Sequence, residues 1–82
     1  MHETLMIRPR RGSESLSAYA YWTIYNNILQ FRLKPDQPIN EGEIAALLGV
    51  SRTPVHEAMA QLREDGLIDI LPRKESKVSK IN

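Results

Sequence analysis

Gly49, set between two short apolar stripes, constrains the folding of this chain more than any other residue. Ahead of it, Asn40-Glu41-Gly42-Glu43 is a helix start. Asn40 can accept from the free amides of the first turn, and Glu43, three residues on, can reach back as in a capping box. Ile44, Leu47 and Leu48 supply the buried stripe of this helix, and Gly49 is the left-handed residue that ends it after about two to three turns. The next helix begins almost at once, with Ser51 or Thr53 as the capping hydroxyl and Pro54 tolerated inside the first turn. Val55, Ala58, Met59 and Leu62 are its inward positions, and Gly66 ends it. A small residue in the first helix (Ala45), glycine in the turn and aliphatic anchors after it (Val50, Val55) let the two helices cross at a wide angle through a very short turn.

The flanks complete the pattern. From Leu16, the residues Ala18, Tyr21, Trp22, Tyr25, Ile28 and Leu29 recur at three- and four-residue spacing, the stripe of an amphipathic helix. That helix must stop before Pro35, and Lys34-Pro35-Asp36-Gln37-Pro38 reads as a rigid connector. At helical spacing, Trp22 and the tyrosines Tyr19, Tyr21 and Tyr25 are expected in the core rather than stacked on bases. After Gly66 the period changes to two. Residues 67–71 and 77–81 read as short strands joined by Pro72-Arg73-Lys74-Glu75-Ser76. The expectation is a mainly α domain with a small antiparallel β-hairpin, a winged helix-turn-helix of three helices plus a wing. It spans residues 16–82 behind a flexible N-terminal arm at 1–15, where Gly12 and Ser13 close a stretch without periodicity. Eighty-two residues allow one such domain with a thin core.

Several chemistries are excluded by residue type. With no cysteine there is no disulfide, thiolate metal site or thiol nucleophile, and His2 and His56 are too far apart in sequence to suggest a metal set. No phosphate-cradling glycine loop or paired-carboxylate cleft is present. His56 and Glu57 are not a dyad, since adjacent helical residues point about 100 degrees apart. Neither an enzyme nor a cofactor is expected. No apolar run approaches the roughly 18 residues of a membrane span, and Arg8, Arg10 and Arg11 are not followed by a signal-peptide core, so the expected setting is the cytoplasm. A net charge of +1 announces no partner, but its distribution is uneven. Basic residues gather at Arg8 to Arg11, at Arg52 and at Arg73, Lys74, Lys77 and Lys80, a pattern compatible with surfaces that face phosphate.

The first turn of the third helix carries the main functional signal. Ser51, Arg52, Thr53, His56 and Gln61 are polar at positions that avoid its apolar stripe, where a recognition helix meets base edges and its free amides attract phosphate. Arg52 can read guanine or grip a phosphate, and Ser51 and Thr53 can bond phosphate oxygens. The plainer alternative makes Ser51 and Thr53 helix caps and Arg52 a solvated side chain. Likewise Arg73, Lys74 and Lys77 are either a wing that lies on the DNA backbone or minor groove, or ordinary charged residues that keep a strand edge from aggregating.

The run from Ile39 through Met59, followed by Leu62 and Glu64-Asp65-Gly66-Leu67-Ile68, resembles the DNA-binding domain of GntR-family bacterial transcription regulators, most of all in Leu48-Gly49-Val50-Ser51-Arg52-Thr53-Pro54-Val55. The Ser51-to-Val55 form looks most like the FadR-like subfamily. The resemblance implies binding to double-stranded operator DNA, with Arg52, Ser51 and Thr53 as contacts, and a homodimer formed through a metabolite-sensing C-terminal domain that lies outside this chain. The 82 residues alone are expected to be monomeric. Three positions depart from the family pattern: Gly42 and His56 where arginine is common, and Glu75 where the wing commonly has glycine. His56 in place of arginine predicts weaker and more pH-sensitive recognition, since histidine reaches less far and changes charge near neutral pH. The rival reading is a winged-helix module that holds a protein partner.

Overall fold

A computed structural model describes residues 5–70 and 75–80. The first helix, α1 (Leu16–Leu29), opens on Ser15, whose hydroxyl accepts from the Ala18 amide at 3.0 Å. Its buried face is Tyr19, Ala20, Thr23, Ile24, Asn27 and Ile28, a stripe rotated from the expected one and sharing only Ile28 with it. Trp22 is 44% exposed and is not core, while Tyr21 and Tyr25 are half-buried at the margin. Because α1 is apolar or aromatic on nearly every side, hydrophobicity alone does not choose its inward face. The slender side chains at 20, 23, 24 and 27 let α3 approach closely, and the two polar ones satisfy themselves. Thr23 donates to the Tyr19 carbonyl at 2.8 Å, and Asn27 donates to the Thr23 carbonyl at 2.6 Å. The helix closes at Phe31, in the left-handed region (φ 60), with the Arg32 and Leu33 amides both on the Asn27 carbonyl.

Ahead of α1, Met6 and Arg8 make contacts with it. The Met6 amide donates to Asn27 Oδ1 at 2.8 Å, and Asn27 Nδ2 donates back to the Met6 carbonyl at 2.9 Å. The Tyr19 hydroxyl donates to the Arg8 carbonyl at 2.7 Å, and Arg8 forks onto the Glu14 carboxylate at 3.0 and 2.6 Å. That pairing raises the guanidinium pKa and holds Glu14 below the usual carboxylate range.

Part of the connector is a strand. β1 (Pro38–Ile39) pairs antiparallel with β3 (Ser76–Val78), and β3 pairs antiparallel with β2 (Ile68–Ile70), giving a three-stranded sheet in the order β1-β3-β2. Two residues, one of them proline, carry no readable alternation, and Pro38 is tolerated because it sits on the sheet edge. The third strand begins at Ser76 rather than Lys77 and ends at Val78, not Ile81. Reciprocal bonds of 2.8 Å, from the Asp36 amide to the Val78 carbonyl and from the Val78 amide to the Gln37 carbonyl, extend the β1 side.

α2 (Glu41–Leu48) is capped as expected by Asn40, which accepts from the Glu43 amide at 2.9 Å, and it ends at Gly49 with φ 71 and ψ 33. Ile44 and Ala45 are buried and Leu48 packs at the margin, whereas Leu47, expected inside, is exposed. α3 (Arg52–Glu64) buries Val55, Ala58, Met59 and Leu62, the four residues its spacing predicts. Ser51 occupies the N-cap position, although its side chain makes no capping bond. Gly66 (φ 81) closes the helix, with the Leu67 amide on the Leu62 carbonyl at 2.9 Å. α3 packs chiefly on α1, with β2 behind it, so Ile24, Val55, Leu62, Ile68 and Val78 meet in one core.

Candidate nucleic-acid interface

Burying positions 55, 58, 59 and 62 forces positions 52, 53 and 56 of α3 onto the opposite, solvent-facing side. Arg52 and His56 are four residues apart, hence neighbours on that face. Their side chains are 70% and 71% exposed. Ser51 and Thr53 are exposed beside them at the start of the helix, so four of the expected contact residues are grouped in one place. Gln61 is not among them. It is exposed, but its amide donates to Asp65 Oδ1 at 3.2 Å, toward the C-terminal end of α3.

The residue that sequence reasoning missed is Glu41, the first of α2. Its Oε2 lies 2.9 Å from His56 Nδ1 and its Oε1 lies 3.9 Å from Arg52 Nη2, so one carboxylate faces both basic side chains of α3. Glu41 lies in the first turn of α2, and no spacing in the chain ties position 41 to positions 52 and 56. Only the crossing of α2 over the start of α3 does so. Gly42 belongs to the same arrangement. A Cβ there would sit 3.1 Å from Asn40 Oδ1 and 3.9 Å from Arg52 Cζ, so the Arg52 guanidinium lies over a position left open by glycine. A cleft of about 620 Å³ runs from here to the wing strand, lined by Asn40, Glu41, Glu43, Arg52, His56, Glu75 and Ser76 among others.

On the wing, Lys77 sits in the middle of β3, opposite Asp69 on one side and Pro38 on the other. Its Nζ is 2.6 Å from Asp36 Oδ1, a contact that holds the Asp36 carboxyl below its ordinary pKa and pushes the Lys77 ammonium above its own. Arg73 and Lys74 lie outside the described residues. On the other side of α3, Tyr21, Trp22 and Tyr25 form an aromatic cluster with ring centroids 5.0 to 5.9 Å apart. The Tyr21 hydroxyl donates to Asp65 Oδ2 at 2.6 Å, which ties α1 to the end of α3 and pushes the phenol up to about 12. Among the described residues no cluster of metal-ligating side chains occurs, and no helix is long and apolar enough to cross a membrane.

The family described as "Bacterial regulatory proteins, gntR family" matches residues 16–78. An uncharacterised HTH-type transcriptional regulator of Agrobacterium vitis, from the TAR-I ttuE-ttuC' intergenic region, is 56% identical over 55 residues, covering 67% of this chain and 32% of that protein. The HTH-type transcriptional repressor RspR of Escherichia coli K12 is 34% identical over 70 residues, covering 85% of this chain and 31% of the repressor. The chain thus spans about a third of the length of these curated relatives. Among solved structures, a GntR-family transcriptional regulator from Pseudomonas syringae pv. tomato superposes with a TM-score of 0.74 at 29% identity, over 80% of this chain and 28% of its own. AraR(DBD), in complex with operator ORX1, has the same fold at a TM-score of 0.74 and 24% identity, over 96% of this chain and 99% of its own.

Proposed function

Since the chain belongs to the gntR family of bacterial regulatory proteins, we propose that it is the DNA-binding unit of a metabolite-responsive transcription regulator. In this reading α3 enters the major groove of double-stranded operator DNA, and the wing lies along the flanking backbone or minor groove. The observation that carries it is the grouping of Ser51, Arg52, Thr53 and His56 on the exposed side of α3's first turn, while Val55, Ala58, Met59 and Leu62 anchor the opposite side in the core. Arg52 supplies a fork of donors for guanine or phosphate, Ser51 and Thr53 supply hydroxyls for phosphate, and the free amides at the start of α3 favour an anion. On the wing, Arg73, Lys74 and Lys77 supply positive charge, Lys77 by exchanging Asp36 for a phosphate. The fold is shared with AraR(DBD), captured on its operator, which supports a DNA-binding role for this fold. The full regulator works in the cytoplasm as a homodimer joined through a C-terminal effector domain outside this chain.

Titration of labelled duplex DNA at several salt concentrations tests the reading. Affinity should fall steeply with salt, with a log-log slope of about −0.9 per phosphate contacted. Absence of binding even at low salt would overturn it in favour of a protein partner, to which the neutralised Lys77 and the carboxylate between Arg52 and His56 would then point.

A further inference from the structure

His56 has two ring nitrogens, and the fold treats them differently. Nδ1 is 2.9 Å from Glu41 Oε2, while Nε2, on the far side of a side chain that is 71% exposed, has no hydrogen-bond partner among the described residues. An ionised carboxylate can only accept, so the nitrogen that meets Glu41 must carry the proton. In the neutral imidazole the remaining nitrogen is then an acceptor. We propose that Glu41 fixes His56 with its proton on Nδ1, so that Nε2 accepts from an exocyclic amino group of a base in the major groove, cytosine N4 or adenine N6. The proposal rests on the DNA-binding reading and makes it specific. An arginine at this place could only donate, and would seek guanine or phosphate. His56 held by Glu41 selects the opposite chemistry. Glu41 is therefore a positioning residue: it sets what His56 presents, and its other oxygen lies 3.9 Å from Arg52 Nη2.

Acidification reverses the selection. A protonated imidazole donates from both nitrogens, so the same ring edge turns from amino groups to guanine acceptors or phosphate. The charged groups around the ring set the field in which this happens. Glu41 and Glu43 come from α2, Arg52 from one turn earlier on α3, and Glu75 from the residue before β3.

Two measurements test this. In long-range proton–nitrogen spectra of the chain alone at mildly alkaline pH, wild-type His56 should carry its proton on Nδ1, and in Glu41→Ala the proton should move toward Nε2. A wild-type ring already protonated on Nε2 overturns the assignment without reference to DNA. In selections from a randomised duplex pool at the same pH, the wild type should enrich cytosine or adenine at one position, and the enriched base identifies which. Replacing that base by an analogue without the amino group should weaken binding about threefold to tenfold, the worth of one neutral hydrogen bond. Glu41→Ala and His56→Ala should each lose the preference, and mildly acidic pH should shift it toward guanine in the wild type alone. Identical preferences in wild type and Glu41→Ala overturn the proposal while leaving DNA binding intact. A wild type that binds duplex but enriches no sequence overturns this proposal, and one that binds no duplex even at low salt overturns the DNA-binding reading as well.

Discussion

Arg52 is the side chain on which the candidate interface most depends, and it contributes little to the fold: it is largely exposed, and its ion-pair partner Glu41 stands 3.9 Å away. Arg52→Ala should cost about 1 to 3 kcal/mol in affinity for a selected duplex while the melting temperature stays put. Unchanged affinity in the folded variant would remove Arg52 from the interface. Tyr21 makes a second residue-scale statement. Its hydrogen bond to Asp65 holds the phenol neutral, so its pKa, ordinarily near about 10, is pushed up to about 12. The sign follows: the bond stabilises the fold fully below the ordinary tyrosine range, and that contribution is lost as pH rises through about 12. In an ultraviolet titration one of the three tyrosines should ionise last, and Asp65→Ala should bring it back among the others. Three tyrosines that titrate together in the wild type would refute the bond.

At the scale of elements, the wing is held by a pair that joins distant parts of the chain. Lys77 of β3 meets Asp36, which precedes β1, so the ion pair reinforces the register Pro38↔Lys77. Asp36 is exposed and Lys77 half-buried, which makes the contribution modest and salt-sensitive. Its pH dependence has two limbs. Asp36, held below its ordinary value, contributes above that value and loses its contribution as pH falls through the depressed one. Lys77, raised above its ordinary value, contributes below that value and loses its contribution as pH climbs through the raised one. Thermal melts of wild type and Lys77→Met should therefore differ most near neutrality and converge in acid as Asp36 protonates. A gap that persists undiminished into strong acid would show that the pair is not its cause. If Lys77 also contacts DNA, the same variant should lower the salt slope by about one phosphate's worth, about 0.9.

For the molecule as a whole, the exposed large apolar side chains among the described residues are spread over several elements. Met6 and Ile7 precede α1, Leu16 opens it, Trp22 lies in its middle, Leu29 and Phe31 lie at its end, Leu47 on α2 and Ile70 on β2. A stable interface needs about 800 Å² from each partner around a contiguous apolar centre. The 82-residue chain should therefore sediment at micromolar concentration as a monomer of 9.4 kDa. Its radius of gyration should lie near the 11.8 Å of its Cα positions. A tight dimer in sedimentation would mean that one of these patches, most plainly the Leu29–Phe31 end, pairs two copies without any further domain.

The sequence by itself determined the order of the helices, the Asn40 cap, the glycine ends of α2 and α3 and the face of α3 that points outward. Those follow from local physics: Asn40 at an N-cap, Gly49 and Gly66 in left-handed conformations, and a four-residue apolar stripe on a helix whose other positions are mostly polar. It grouped Ser51, Arg52, Thr53 and His56 for the same reason. It did not choose the inward face of α1, because that helix is apolar on several sides and packing against α3 selects for slenderness, leaving Trp22 outside and Asn27 inside. Nor did it reveal β1, whose two residues are a strand only because β3 lies beside them. Glu41 belongs to the same class: its role exists only where α2 crosses the start of α3 and brings a carboxylate to His56 and Arg52. Periodicity and capping act within a few residues and can be read along the chain, whereas a contact across fifteen residues is created by the packing of one helix on another.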